Sequence, residues 1–83
     1  MGRDALRQGE ISSAVRYFQE ALEVNPESPE IHNDLGMALI QLGKLEEARD
    51  HFVEALKLNP DDVSIRANLE KVLLQLQSIK AIS

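Results

Sequence analysis

The chain contains no cysteine and no tryptophan. Without cysteine there is no disulfide staple and no thiolate chemistry, and the redox compartment is left open. Histidine occurs only at positions 32 and 51, so the several Cys or His ligands that zinc wants are missing. Aromatic side chains are limited to Tyr17, Phe18 and Phe52. Lys and Arg number 9 against 14 Asp and Glu, a net charge of −5. An acidic chain this short of stacking rings excludes a phosphate-backbone partner and single-stranded nucleic acid. No apolar run approaches the roughly 18 residues that cross a bilayer, and no signal-peptide pattern opens the chain. The chain is expected to be soluble and cytoplasmic, without membrane insertion of its own, although a longer parent protein can be membrane-attached.

What is present is a period. Thirty-four residues separate Gly9 from Gly43, Ala14 from Ala48, Phe18 from Phe52 and Asn25-Pro26 from Asn59-Pro60. Shifted by that step, the sequence matches itself at fourteen positions, among them Leu35/Leu69, Leu39/Leu73 and Leu42/Leu76. A fixed period in this range marks a repeat architecture, and such proteins build extended binding surfaces instead of enclosed active sites.

Within each period the apolar residues keep helical spacing. Ile31, Leu35, Ala38, Leu39 and Leu42 line one face of a 3.6-residue helix, and Leu45, Ala48, Phe52, Ala55 and Leu56 line the next. Ser28 is placed to cap the first of these, with Pro29 in its first turn. Gly43 ends it, and Asn59-Pro60 ends the second. Asp61 and Asp62 then put acids at the positive end of a further helix carrying Ile65, Leu69, Val72, Leu73 and Leu76. The earlier part repeats this with Ile11, Ala14, Phe18, Ala21 and Leu22, preceded by a stub that Gly9 is expected to end. The spacing predicts a helical stub at 2–8 and four helices at 10–24, 29–42, 45–58 and 63–79, all-α, with no strand.

His32-x-x-Leu35-Gly36-x-x-Leu39, Ala48-x-x-x-Phe52, Ala55 and Pro60 closely resemble the tetratricopeptide repeat. His32 stands where tryptophan is commonest in that family, and Leu39 where tyrosine is. The resemblance covers about residues 2–77 and implies a right-handed solenoid of antiparallel helix pairs. It divides a single domain, 1–83, into a partial repeat (2–28), a complete repeat (29–62) and a capping helix (63–79). Gly36 and Ala48 are expected to be small where the paired helices approach closely. Glu70 replaces Gly36 in the last unit and would obstruct a packed partner helix, as suits a cap with a polar outer face. The first unit lacks the leading turns of its first helix and reads as cut from a longer array. Ile11, Val15, Phe18 or Leu22 should then be partly uncovered, and either weak self-association or a frayed segment before Gly9 is expected.

In such arrays the first helix of each unit lines a groove that receives an extended peptide or a partner helix. The resemblance and helical geometry place Asn33, Met37, Ile40 and Gln41 there, with Glu30 and Asp34 beside them. The last helix adds Asn68, Lys71, Leu74 and Gln75, and the stub adds Arg3 and Arg7. Asn33 and Asn68 resemble asparagines that bind peptide backbone in several family members. Arg3, Arg7 and Lys71 suit an acidic side chain or a carboxylate. The chaperone-tail "carboxylate clamp" is absent, because Glu30 and Asp34 stand where cations are wanted. For each residue the bland alternative is a solvated helix surface.

Nothing in the sequence builds a catalytic site. His32 takes a packing position of the motif, and His51 comes directly after Asp50, where neighbours on a helix do not share a face. Neither histidine shows a partner set. There is no phosphate-cradling glycine loop and no nucleophile elbow. Glu46-Glu47 reads as a solvated helix face with no cleft to split two carboxylate pKa values. The expected function is a non-catalytic protein-interaction module with a protein or peptide partner and no cofactor. The alternative is a structural spacer or self-associating tail of a larger bacterial enzyme or assembly protein.

Overall fold

The computed structural model describes the backbone of residues 2–82 and the side chains of residues 7–80. Four helices succeed one another: α1 (Gly2–Val24), α2 (Pro29–Gln41), α3 (Leu45–Leu58) and α4 (Val63–Ile82). The chain is an all-α helical-repeat solenoid, as its period implies.

Local chemistry sets the boundaries of α2. Ser28 is extended, with φ −95° and ψ 110°, and its hydroxyl oxygen accepts from the Ile31 N–H at 3.3 Å. That satisfies one of the four orphan donors at a helix start. Pro29 comes next, in the first turn, where its missing N–H loses nothing. At the other end Gly43 has φ 79°, the only positive φ among the described residues. The Lys44 N–H donates to the Leu39 carbonyl and the Gly43 N–H to the Ile40 carbonyl, both at 2.9 Å. These two bonds close a Schellman turn. α4 is capped more sharply than dipole arguments alone require: the Asp62 carboxylate accepts from the Ile65 N–H at 3.1 Å.

Two expectations need correction. Gly9 does not end a stub; α1 runs unbroken from Gly2 through Gly9 to Val24. A turn at Gly9 is rewarded only if residues 2–8 pack back on residues 10–24, and the sequence offers just Ala5 and Leu6 for such a contact. The helical hydrogen-bond ladder wins, although glycine inside a helix costs about 1 kcal/mol relative to alanine. α4 runs to Ile82, three residues past the expected end, and Gln77 in the place of Gly43 offers it no left-handed stop.

The core lies between α2 and its neighbours. Leu35, Ala48, Phe52, Ala55 and Val72 are fully buried, with Leu39 and Ile65 nearly so. Ile11, Phe18, Leu22 and Leu69 pack partly buried against it, so Ile11, Phe18 and Leu22 are partly uncovered as expected, whereas Val15 is buried. Gly36 lies on the ring of Phe52. A Cβ at Gly36 would stand 2.7 Å from Phe52 Cε1, well inside contact distance, so only glycine fits. Ala48 is fully buried in the same seam.

α1 packs on α2, α2 on α3, and α3 on α4, while α2 also touches α4. Among the described residues α1 and α3 do not meet. The array therefore closes on the α2–α4 side and opens on the α1–α3 side. The concave face belongs to α2 and α4.

Candidate partner-binding groove

The two groove asparagines are joined. The Asn68 side-chain N–H donates to the Asn33 side-chain oxygen at 2.9 Å, across from α4 to α2. The Asn33 amide in turn lies 3.9 Å from the Met37 sulfur, one turn along α2. Both asparagines are half-buried. Each side-chain amide offers two N–H donors and an oxygen with two lone pairs. The mutual bond uses one N–H of Asn68 and one lone pair of Asn33, so the Asn68 oxygen and further N–H groups remain to meet a backbone.

Apolar surface lies close by. Met37 is 45% exposed and Leu74 66% exposed, an adaptable contact of the kind methionine provides. Ile40 is only half-exposed and turns partly onto the core. Lys71 and Gln75 are exposed on α4. Gln41 stands with Arg7 on the rim of a depression of about 410 Å³ between the start of α1 and the end of α2. Arg3 lies outside the residues whose side chains are described.

The groove is charged differently at its two ends. Where α2 and α4 begin, a depression of about 320 Å³ is edged by Glu30, Asp34 and Asp62. Where α2 ends, Arg7 stands beside Gln41. From Asn33 to Gln41 is about 12 Å at 1.5 Å rise per residue. The predicted set is therefore one cluster, around Asn33, Asn68 and Met37, with Arg7 and Gln41 two helical turns away. Asp62 and Asn59, at the acidic end, were not anticipated; Asp62 serves there as the α4 cap as well.

A second polar contact escaped the sequence reading. His32 and His51 meet across the α2–α3 seam, Nδ1 to Nδ1 at 3.1 Å, and His32 Nε2 reaches the Pro26 carbonyl at 2.9 Å. So each histidine does have a partner, and it is the other one. Burial first, then His32, pushes His51 below the ordinary histidine value, against Asp50, Glu47 and Glu54, which favour its charged form. The contact was deducible: an antiparallel α2–α3 pairing that sets Gly36 opposite Ala48 places His32, one turn earlier, opposite residues 51–52. Among the described residues no group of three or more His, Cys, Asp or Glu could hold a metal ion. No described helix is long and apolar enough to cross a membrane.

A comparison with curated proteins found no match. A family model described as tetratricopeptide repeat, a unit that generally mediates protein–protein interactions, matches residues 1–63. That span covers α1, α2 and α3, including the Gly36–Phe52 contact and the Gly43 turn on which the paired packing depends. By this match and by its helix-pair geometry, the chain belongs to the tetratricopeptide repeat family.

Proposed function

We propose that the α2–α4 face binds an extended segment of a protein partner, without catalysis. The observation that carries this reading is the Asn33–Asn68 bridge, with exposed Met37 beside Asn33 and exposed Leu74 further along α4. Side-chain amides held by each other lose little freedom when a partner's backbone arrives, which lowers the entropy charge of binding. Glu30, Asp34 and Asp62 at one end, with Arg7 and Lys71 elsewhere along the face, favour a partner of mixed charge. Such a segment would set a basic residue near the starts of α2 and α4. Its acidic residue or carboxylate would lie toward Arg7. Affinity is expected to be micromolar at best, since four helices offer less than a standard-sized interface.

The test uses peptides selected on this protein from a random library, measured by fluorescence anisotropy. Asn33→Ala with Asn68→Ala should weaken binding by about 1 kcal/mol per lost hydrogen bond. Because the two amides also bond each other, the double variant should lose slight stability as well, so its fold is checked by circular dichroism. A folded double variant that binds as the parent does would leave the spacer or self-associating reading in its place. That alternative draws on exposed Tyr17 and Leu73, which lie off the groove.

A further inference from the structure

We propose that the His32–His51 contact is an acid-sensitive latch, holding the Asn25-Pro26 turn, α2 and α3 together near neutral pH and releasing them on acidification. The geometry dictates the proton count. A carbonyl oxygen only accepts, so His32 Nε2, 2.9 Å from the Pro26 oxygen, carries its hydrogen. Neutral His32 therefore presents Nδ1 as a bare acceptor, and His51 Nδ1, 3.1 Å away, must be the donor. The ring centroids are 5.4 Å apart with the planes tilted by 30°. With the nitrogens 3.1 Å apart, both lie close to the line joining the rings. Their lone-pair directions thus point at each other, as an N–H···N bond needs. A shared metal ion would need both to converge on a point to one side.

Adding protons one at a time shows where the latch fails. The first is accommodated on His51 Nε2, which the pair does not use, beside Asp50, Glu47 and Glu54. The N–H···N bond survives this step, but the charge then sits in a half-buried ring beside His32, the cost that holds His51 low. The second has only His32 Nδ1 left. Two N–H groups would then face each other at the 3.1 Å contact, with His32 just 9% exposed. Flipping the His32 ring offers no escape, because it breaks the bond to Pro26.

The charged groups that act on His51 are His32 from α2 and Asp50, Glu47 and Glu54 from α3 itself; none from α1 or α4 is among them. Burial and His32 outweigh the three carboxylates and hold His51 low. A folded-state value below the unfolded one means that the unfolded chain binds more protons in the window beneath about pH 6.5. Stability is thus fully present above that pH and declines as pH falls through the folded value. Release would free the first two turns of α2, which carry Glu30 and Asn33, so acid would also loosen the groove.

The experiment tracks both imidazoles of the whole chain by NMR from pH 8 to 5, and records thermal melts of the parent and of His51→Gln. Glutamine can donate to His32 Nδ1 and, after rotation, accept from it, without titrating. The expected result is two separated titration steps. The parent's Tm should fall several degrees more than that of His51→Gln between pH 7.5 and 5. Should His51→Gln fail to fold, the imidazole titration decides alone. Two histidines titrating independently at the ordinary value, or equal losses of Tm, would overturn the latch.

Discussion

The α2–α3 pair and the helices flanking it hold equivalent residues in different states. Gly43 ends α2 at φ 79°. Gly9 occupies the same place one period earlier and lies inside α1, and Gln77, one period later, lies inside α4. Gly36 sits on Phe52, whereas Glu70 in the matching place on α4 is exposed. Phe52 is fully buried, yet Phe18 is only half-buried. The lesson is that a repeat residue grants a conformation and packing decides whether it is taken. Gly43 makes its turn because the turn lays α3 on α2 and buries Leu35, Leu39 and Phe52. Gly9 carries the same permission without that reward, and the helix continues.

The sharpest way to break this comparison is to fill Gly36 and Glu70 alike. Gly36→Leu puts a Cβ 2.7 Å from the Phe52 ring and should cost roughly 2 kcal/mol or more through overpacking. Glu70→Leu should cost little, because Glu70 is exposed and no described helix comes after α4. Thermal melts of the two variants check this. Equal shifts would mean that α4 is covered on that side in solution, against the expectation that it acts as a cap.

A smaller effect separates the two turn glycines. Gly43→Ala forces an L side chain into the left-handed region and should destabilise by about 1–2 kcal/mol. Gly9→Ala should stabilise by up to about 1 kcal/mol, since nothing lies within 4 Å of its Cβ and alanine is the better helix former. Urea denaturation resolves the difference in sign. If Gly9→Ala destabilises instead, Gly9 turns in solution and ends a stub there after all.

These contrasts also show how far the sequence could be read. The pattern of Leu35, Leu39, Ala48, Phe52 and Ala55 identified the seam, because helical spacing and small-large alternation are properties of neighbours along the chain. Ser28 and Gly43 were equally legible, each acting through its own backbone. What was missed depends on partners across the seam. Gly9 failed because its turn needs a packed segment, and a period cannot say whether enough of one is there. His32 and His51 failed because each was judged by residues beside it in sequence rather than by the antiparallel pairing. The groove residues Asn33, Asn68 and Met37 were placed on the concave face, but their mutual bonds are a matter of side-chain direction that spacing does not carry. Arg7 and Gln41 came together for a geometric reason that also separates them from the asparagines: α1 runs antiparallel along α2, so its beginning lies beside the end of α2.

The central claim is that partners meet the α2–α4 face. It is tested most directly by chemical-shift mapping of the labelled chain with a selected mixed-charge peptide. The account predicts the largest perturbations at Asn33, Met37, Asn68 and Lys71, with weaker ones at Arg7 and Gln41. Perturbations centred instead on Arg49, Asp50 and Glu54, along the α3 surface, would contradict it.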